Sequence, residues 1–168
     1  MIKLFSTKLY LYANLRIDIM KLIQKNKFAY FNYKILEKFE AGIVLTGAEV
    51  KSVKKGQVDL KGSYVTIRNN EAWLINAHIS PYKMASHQKD YDPNRPRKLL
   101  LKQKEIKSLI GKEKAQGLTI VPLSVYIIRR LVKIKLGLAR GKKKADKRET
   151  IKKREVNRKI RRAMRQKL

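Results

Sequence analysis

Short apolar runs separated by polar turns fill the middle of this chain, and they read as mostly β. Tyr33–Leu36 and Gly42–Thr46 read as short strands. Ala48–Lys55 reads as a brief amphipathic helix with Val50 and Val53 on one side. Gly56 stands just past its end, where a left-handed residue terminates a helix. Tyr64–Ile67 and Ala72–Ile75 flank Asn69-Asn70, two residues that tolerate the positive φ of a tight hairpin turn. Tyr82–Arg97 is polar and broken by prolines, which predicts a loop before an apolar strand at Lys98–Leu101. Gln103–Ile110 carries Ile106, Leu109 and Ile110 at helical spacing and is expected to stop at Gly111. Leu118–Ile128 and Leu131–Leu138 are long β-branched-rich runs joined at Arg129-Arg130. In the second, Leu131, Lys133, Lys135 and Gly137 alternate with Val132, Ile134, Leu136 and Leu138, giving one core face and one face of cations.

This pattern predicts a mainly β fold with short helices: antiparallel strands with a helix inserted before the last pair. An OB-like antiparallel β-barrel is the usual scaffold of this kind for binding nucleic acid, and an open α+β sandwich is the alternative. The barrel is expected over residues 26–139. Residues 1–25 mix apolar and basic side chains with one acid, Asp18. They read as a frayed terminus, or as an extension preceding a start at Met20. A secretory signal would need a longer apolar stretch; a basic, nearly acid-free segment is compatible with a mitochondrial presequence, although Arg16 is its single arginine.

Residues 140–168 form a separate tail with 15 basic and 3 acidic residues. Asp146-Lys147-Arg148-Glu149 has capping-box spacing, with Asp146 as the expected N-cap and Glu149 reaching back. Val156, Ile160, Ala163, Met164 and Leu168 then share one narrow helical face. Like charges at i and i+4 repel, so the tail is expected to be disordered when free and helical once a polyanion cancels that repulsion.

The formal charge is +29 over 168 residues. Charge of one sign at this density implies a polyanionic partner, with nucleic acid ahead of a membrane surface. No uncharged apolar run approaches the ~20 residues that cross a bilayer. The chain has no cysteine, which excludes a disulfide framework, a zinc finger and a cysteine nucleophile, and fits a cytoplasmic protein. Gly42 and Gly47 have P-loop spacing, but Ala48 and Glu49 follow where lysine and a hydroxyl residue are needed. His78 and His87 belong to no metal-binding spacing, and no serine sits in a nucleophile elbow. A binding protein with no enzyme activity, cofactor or metal is the simpler expectation.

The motifs carry a more specific signal. Phe39-Glu40-Ala41-Gly42, Gly47 to Ser52, Ser63-Tyr64-Val65, Asp92-Pro93, Arg97 to Leu101, Lys133 to Gly137, Ala139 to Lys143 and Asp146-Lys147-Arg148 together resemble the small protein B family, in family order from about Asn26 to about Met164. The resemblance implies an OB-type barrel that binds the tRNA-like end of transfer-messenger RNA (tmRNA, or SsrA RNA) and escorts it to stalled ribosomes for trans-translation. It further implies a tail that enters the vacant mRNA channel and the small-subunit decoding centre. Positions used on the tmRNA side match Asn26, Glu40, Leu100 and Lys133, with Lys135 beside Lys133 on the cationic face. Those on the ribosome side match Gly141, Asp146, Lys147, Arg148 and Met164, together with the adjacent Lys142 and Lys143.

Each has a plainer reading: Leu100 as core, Glu40 as a surface acid, Lys133 as a solvated lysine, Asp146 as a helix cap. The chain departs from the family with Phe28, Tyr30 and Phe31 before the first strand, Ala145 before Asp146, and Val156 in place of a tail tryptophan. A monomer is expected, either in the cytoplasm or in an organelle of bacterial ancestry. A structural ribosomal protein and a general RNA-binding chaperone are the alternative functions.

Overall fold

A computed structural model describes residues 20–85 and 91–166. Expectations about Met1 to Ile19, His87 and Leu168 lie outside the described residues. The elements are β1 (Lys21–Lys25), α1 (Lys27–Asn32), β2 (Tyr33–Ile43), α2 (Gly47–Lys54), β3 (Val58–Asp59), β4 (Tyr64–Arg68), β5 (Glu71–Ile75), β6 (His78–Ile79), β7 (Arg97–Leu100), α3 (Gln103–Gln116), β8 (Thr119–Ile128), β9 (Leu131–Gly141) and α4 (Lys144–Gln166).

Seven strands form one antiparallel sheet in the order β1-β8-β4-β5-β7-β2-β9, and β8 also pairs with β9. That second pairing closes six strands into a ring, with β1 attached to β8 outside it. Closure removes most of the free strand edge that would otherwise invite pairing with another chain. The expected mainly β, closed antiparallel scaffold is therefore present, with α3 inserted before the last pair. Its interior is packed by side chains such as Leu74, Leu109, Ile120, Ile134 and Leu136, all essentially without solvent contact.

The turns follow local chemistry. Asn69 and Asn70 both take positive φ between β4 and β5, the geometry of a two-residue hairpin. Arg129 and Arg130 do the same between β8 and β9, although neither residue type favours it. The nine β8–β9 register pairs impose that turn from outside. Gly56 has φ +80 just beyond α2, as its sequence position predicts.

Three element boundaries differ from the sequence reading. Tyr33–Ile43 is one continuous strand, because a bulge between Ile35 and Glu37 carries pairing with β9 across the polar middle. α3 runs through Gly111 to Gln116 and ends at Gly117, whose φ is +56. Ile106 and Leu109 anchor that helix in the core, which offsets the roughly 1 kcal/mol a glycine costs in a helix interior. In the tail, Asp146 is not the N-cap: α4 begins two residues earlier, at Lys144. Asp146 instead sits at the third helical position and its carboxylate accepts from the Lys143 backbone N–H at 3.1 Å. It performs the reach-back assigned to Glu149.

The outer face of β9 also changes character along its length. Lys133 and Lys135 are cationic, but Gly137 and Ala139 are buried, and Ala139 joins Ala29 of α1, Val121 and Leu123 in a second small cluster. A Cβ on Gly137 would lie 3.0 Å from a Leu123 methyl, so this position admits no larger side chain without displacement. Among the described residues no helix is long and apolar enough to cross a membrane.

Candidate nucleic-acid interface

Pairing of β2, β8 and β9 brings four polar side chains together. Register places Glu40 opposite Lys135 and Gly42 opposite Lys133 on one side of β9, and Tyr126 opposite Lys133 on the other. Glu40 accepts hydrogen bonds from both the Lys133 ammonium and the Tyr126 hydroxyl. The Lys135 ammonium lies 5.9 Å from the centre of the Tyr126 ring. The bond from Lys133, then that from Tyr126, holds the Glu40 carboxyl below its ordinary pKa. Burial, followed by the Glu40 carboxylate, raises the Tyr126 phenol, which stays a donor at any physiological pH. The result is an ionised acceptor flanked by two cations on a rigid sheet.

Leu100 sits beside this group. It is 56% exposed, which rules out the core reading. Gly42 makes room for it, because a Cβ there would meet the Leu100 side chain at 3.3 Å. Glu40, Gly42, Leu100, Lys102, Glu105 and Lys133 line an open depression of about 560 Å³. A bare apolar side chain among charges suits contact with a ribose or a base face, while the lysines suit phosphate.

What holds β7, and hence Leu100, in place is a buried charge cluster. Glu49 and Arg97 are 1% and 0% exposed. The Glu49 carboxylate accepts from Arg97 Nε at 2.9 Å, from Arg95 Nη2 at 2.6 Å and from the Thr46 backbone N–H at 2.8 Å. Arg97 also donates to the carbonyls of Ala77 at 2.6 Å and Pro93 at 2.9 Å. The Tyr91 hydroxyl donates to the Ile79 carbonyl at 2.9 Å and approaches Glu49 at 3.4 Å. Burial alone would raise the Glu49 pKa; the bonds from Arg95 and Thr46 and the charge of Arg97 reverse that and lower it.

Asn26 is placed differently from the other residues on the tmRNA side. It is 5% exposed. Its Nδ2 donates to the carbonyls of Leu60 and Pro122, both at 2.9 Å, and its Oδ1 accepts from the Ala29 N–H at 2.9 Å as the N-cap of α1. Asn26 therefore fixes α1 on the ring, with its side-chain amide engaged inside the protein. Asn26→Ala is expected to cost about 1–3 kcal/mol by orphaning buried groups. Asn26→Asp keeps the cap acceptor but turns a carboxylate toward two carbonyls, so urea denaturation should find it at least as damaging as alanine.

In the tail, Gly141 is the last residue of β9 and pairs with Tyr33. Lys143, Lys144, Arg148 and Met164 are exposed on or next to α4, Lys147 is half-buried, and Val156 and Ile160 are exposed on the same helix. Lys142 is turned back toward α1.

Comparison with known proteins decides the family. The family model described as SmpB protein matches residues 23–166. The chain belongs to the SmpB family. It is 53% identical over 146 residues to the SsrA-binding protein of Trichodesmium erythraeum, covering 87% of this chain and 94% of that one. To the SsrA-binding protein of Gloeothece citriformis it is 55% identical over 144 residues, covering 86% and 93%. A chain of the solved structure "tmRNA-SmpB: a journey to the center of the bacterial ribosome" superposes with a TM-score of 0.61 at 44% identity, covering 76% of this chain and 93% of that one.

Within the SmpB family frame, the structure brings Glu40, Leu100, Lys133 and Lys135 together and sets Asn26 apart as a buried clamp. Sequence reasoning missed Tyr126, Glu49, Arg95 and Arg97. The capping-box spacing Thr46…Glu49 was a visible signal for Glu49, since that carboxylate bonds back to Thr46. Arg97 stands in the motif Arg97 to Leu101, but nothing local points to a partner 48 positions away.

Proposed function

We propose that this chain binds the tRNA-like end of tmRNA through the Glu40–Leu100–Lys133–Lys135 face and delivers it to stalled ribosomes for trans-translation. The α4 tail then occupies the vacant mRNA channel and decoding site. The relatives named for binding SsrA RNA, and the solved neighbour named for tmRNA-SmpB and the ribosome, support this reading. The observation that carries it is the pairing of two separate RNA grips in one chain. One is a rigid sheet face with an ionised acceptor, two cations and a bare leucine; the other is a 23-residue cationic helix exposed along most of its length.

The protein is read as a binding protein that carries out no reaction of its own. The phosphates of a partner RNA relieve the charge repulsion along α4 and stabilise the helix further. Glu40 accepts from a base amino group or a ribose hydroxyl while the lysines release counterions from the backbone.

Lys133→Glu tests the face. It replaces an ion pair by two facing carboxylates and should weaken binding of the tRNA-like domain by about 10- to 100-fold, with the log–log salt slope reduced by about 1. Fluorescence anisotropy across a salt series measures both. An unchanged dissociation constant at every salt concentration removes Lys133 from the interface.

A further inference from the structure

Lys142 resembles the ribosome-engaging residues of the family by position, yet its bonds point inward. Its backbone N–H donates to the Asn32 carbonyl at 2.8 Å. Its ammonium donates to the Tyr30 carbonyl at 3.2 Å and to the Thr150 hydroxyl at 3.4 Å. Tyr30 and Asn32 lie in the last turn of α1, where carbonyls carry partial negative charge, and Thr150 lies in the second turn of α4. One side chain thus ties the root of the tail helix to a helix on the ring.

We propose that Lys142 is a positioning residue that sets the angle at which α4 leaves the ring, and that it acts without contacting RNA. Two further observations support this assignment. First, the helix it leans on is itself immobilised: the Asn26 side chain ties the start of α1 to the Leu60 and Pro122 carbonyls, and the Asn26 backbone N–H donates to the Leu123 carbonyl at 2.8 Å. Second, the tail's acids gather at the same junction. Lys34, Lys142, Asp146, Glu149 and Thr150 surround a depression of about 240 Å³, so two of the tail's three acids stand there beside two lysines. These carboxylates offset the two lysines and so lessen the repulsion between the root of α4 and the ring.

The consequence is one of leverage. A 23-residue helix is about 35 Å long, so a 20° error at its root moves its tip by about 12 Å, a full helix diameter. Two RNA grips on one chain reinforce each other only when the geometry lets both engage at once. The inference rests on the two-grip reading above for its functional consequence, but not for its geometry.

The chain has no cysteine, so a spin label on Lys54→Cys in α2 and another on Lys159→Cys in α4 report the angle without background. Pulsed dipolar spectroscopy of the free full-length protein should give a defined distance distribution. Lys142→Met, which keeps the stem and loses the donors, should widen it at least about twofold. Thr150→Val should shift it in the same direction by less. A Lys142→Met distribution that superposes on the parent's, or a parent distribution already as wide, overturns the proposal.

A second measurement reads the consequence. Lys142→Met should bind the isolated tRNA-like domain within about twofold of the parent and lose delivery to stalled ribosomes by at least about tenfold. Equal losses in both assays would make Lys142 an RNA contact and overturn its assignment. If the parent itself binds neither RNA, the functional reading fails, while the distance measurement still decides the geometry.

Discussion

Replacing Glu49 by glutamine should lower the free energy of unfolding by about 3–5 kcal/mol, the usual cost of removing one partner from a buried ion pair. Arg97 has no access to solvent, so its charge loses its counter-ion with nothing to replace it. Glutamine keeps one acceptor oxygen, so either Arg97 or the Thr46 N–H and Arg95 Nη2 then face an NH2 donor instead of an acceptor. A urea titration should show a lower midpoint with an unchanged slope. The double variant Glu49→Gln, Arg97→Met should be less destabilised than the sum of the two single changes, because each alone strands the other's partner.

The same carboxylate makes stability depend on pH. Its pKa is lowered on folding, so its stabilisation is complete above the ordinary carboxylate pKa of about 4.3 and is lost as pH falls through the folded value. Acid unfolding should be correspondingly steep in the parent and shallower in Glu49→Gln. The effect reaches the interface, since Arg97 begins the four-residue strand that ends at Leu100. If Glu49→Gln unfolds at the parent's urea midpoint, the buried cluster does not hold β7.

Cutting the chain after Lys143 should leave the ring folded and binding of the tRNA-like domain nearly intact, while ribosome engagement falls by more than about 100-fold. The sequence alone suggests a cut after Ala139. The structure moves it, because Arg140 and Gly141 pair with Lys34 and Tyr33, and the Lys142 N–H donates to Asn32. Removing those residues would damage the sheet and confuse the two grips. The truncated protein loses most of the cations of the tail, and affinity for RNA falls steeply with each phosphate contact given up. A reconstituted tagging assay alongside anisotropy on the isolated tRNA-like domain measures the division. Tagging at the parent's rate by the truncated chain would contradict it.

Local signals were legible where chemistry is local. The asparagine turn at 69–70, the glycine after α2 and the alternation from Lys133 to Leu136 are dictated by residues within a few positions of each other, and each stands where the sequence puts it. Gly111 and the break between Tyr33–Leu36 and Gly42–Thr46 were misleading for the complementary reason. A buried face on α3 and a bulged pairing with β9 override local preference at those points.

The sequence by itself determined the need for a polyanionic partner, the mainly β character, the basic C-terminal stretch and the family, because charge, hydrophobic pattern and motif order are all properties of the chain read in line. Only the tertiary structure decided what individual residues do. It buried Asn26, exposed Leu100, joined Glu49 to Arg97 across 48 positions, and turned Lys142 inward. These outcomes depend on which strands pair and in which register. Pairing is settled by the packing of the whole ring, and no window of sequence contains it.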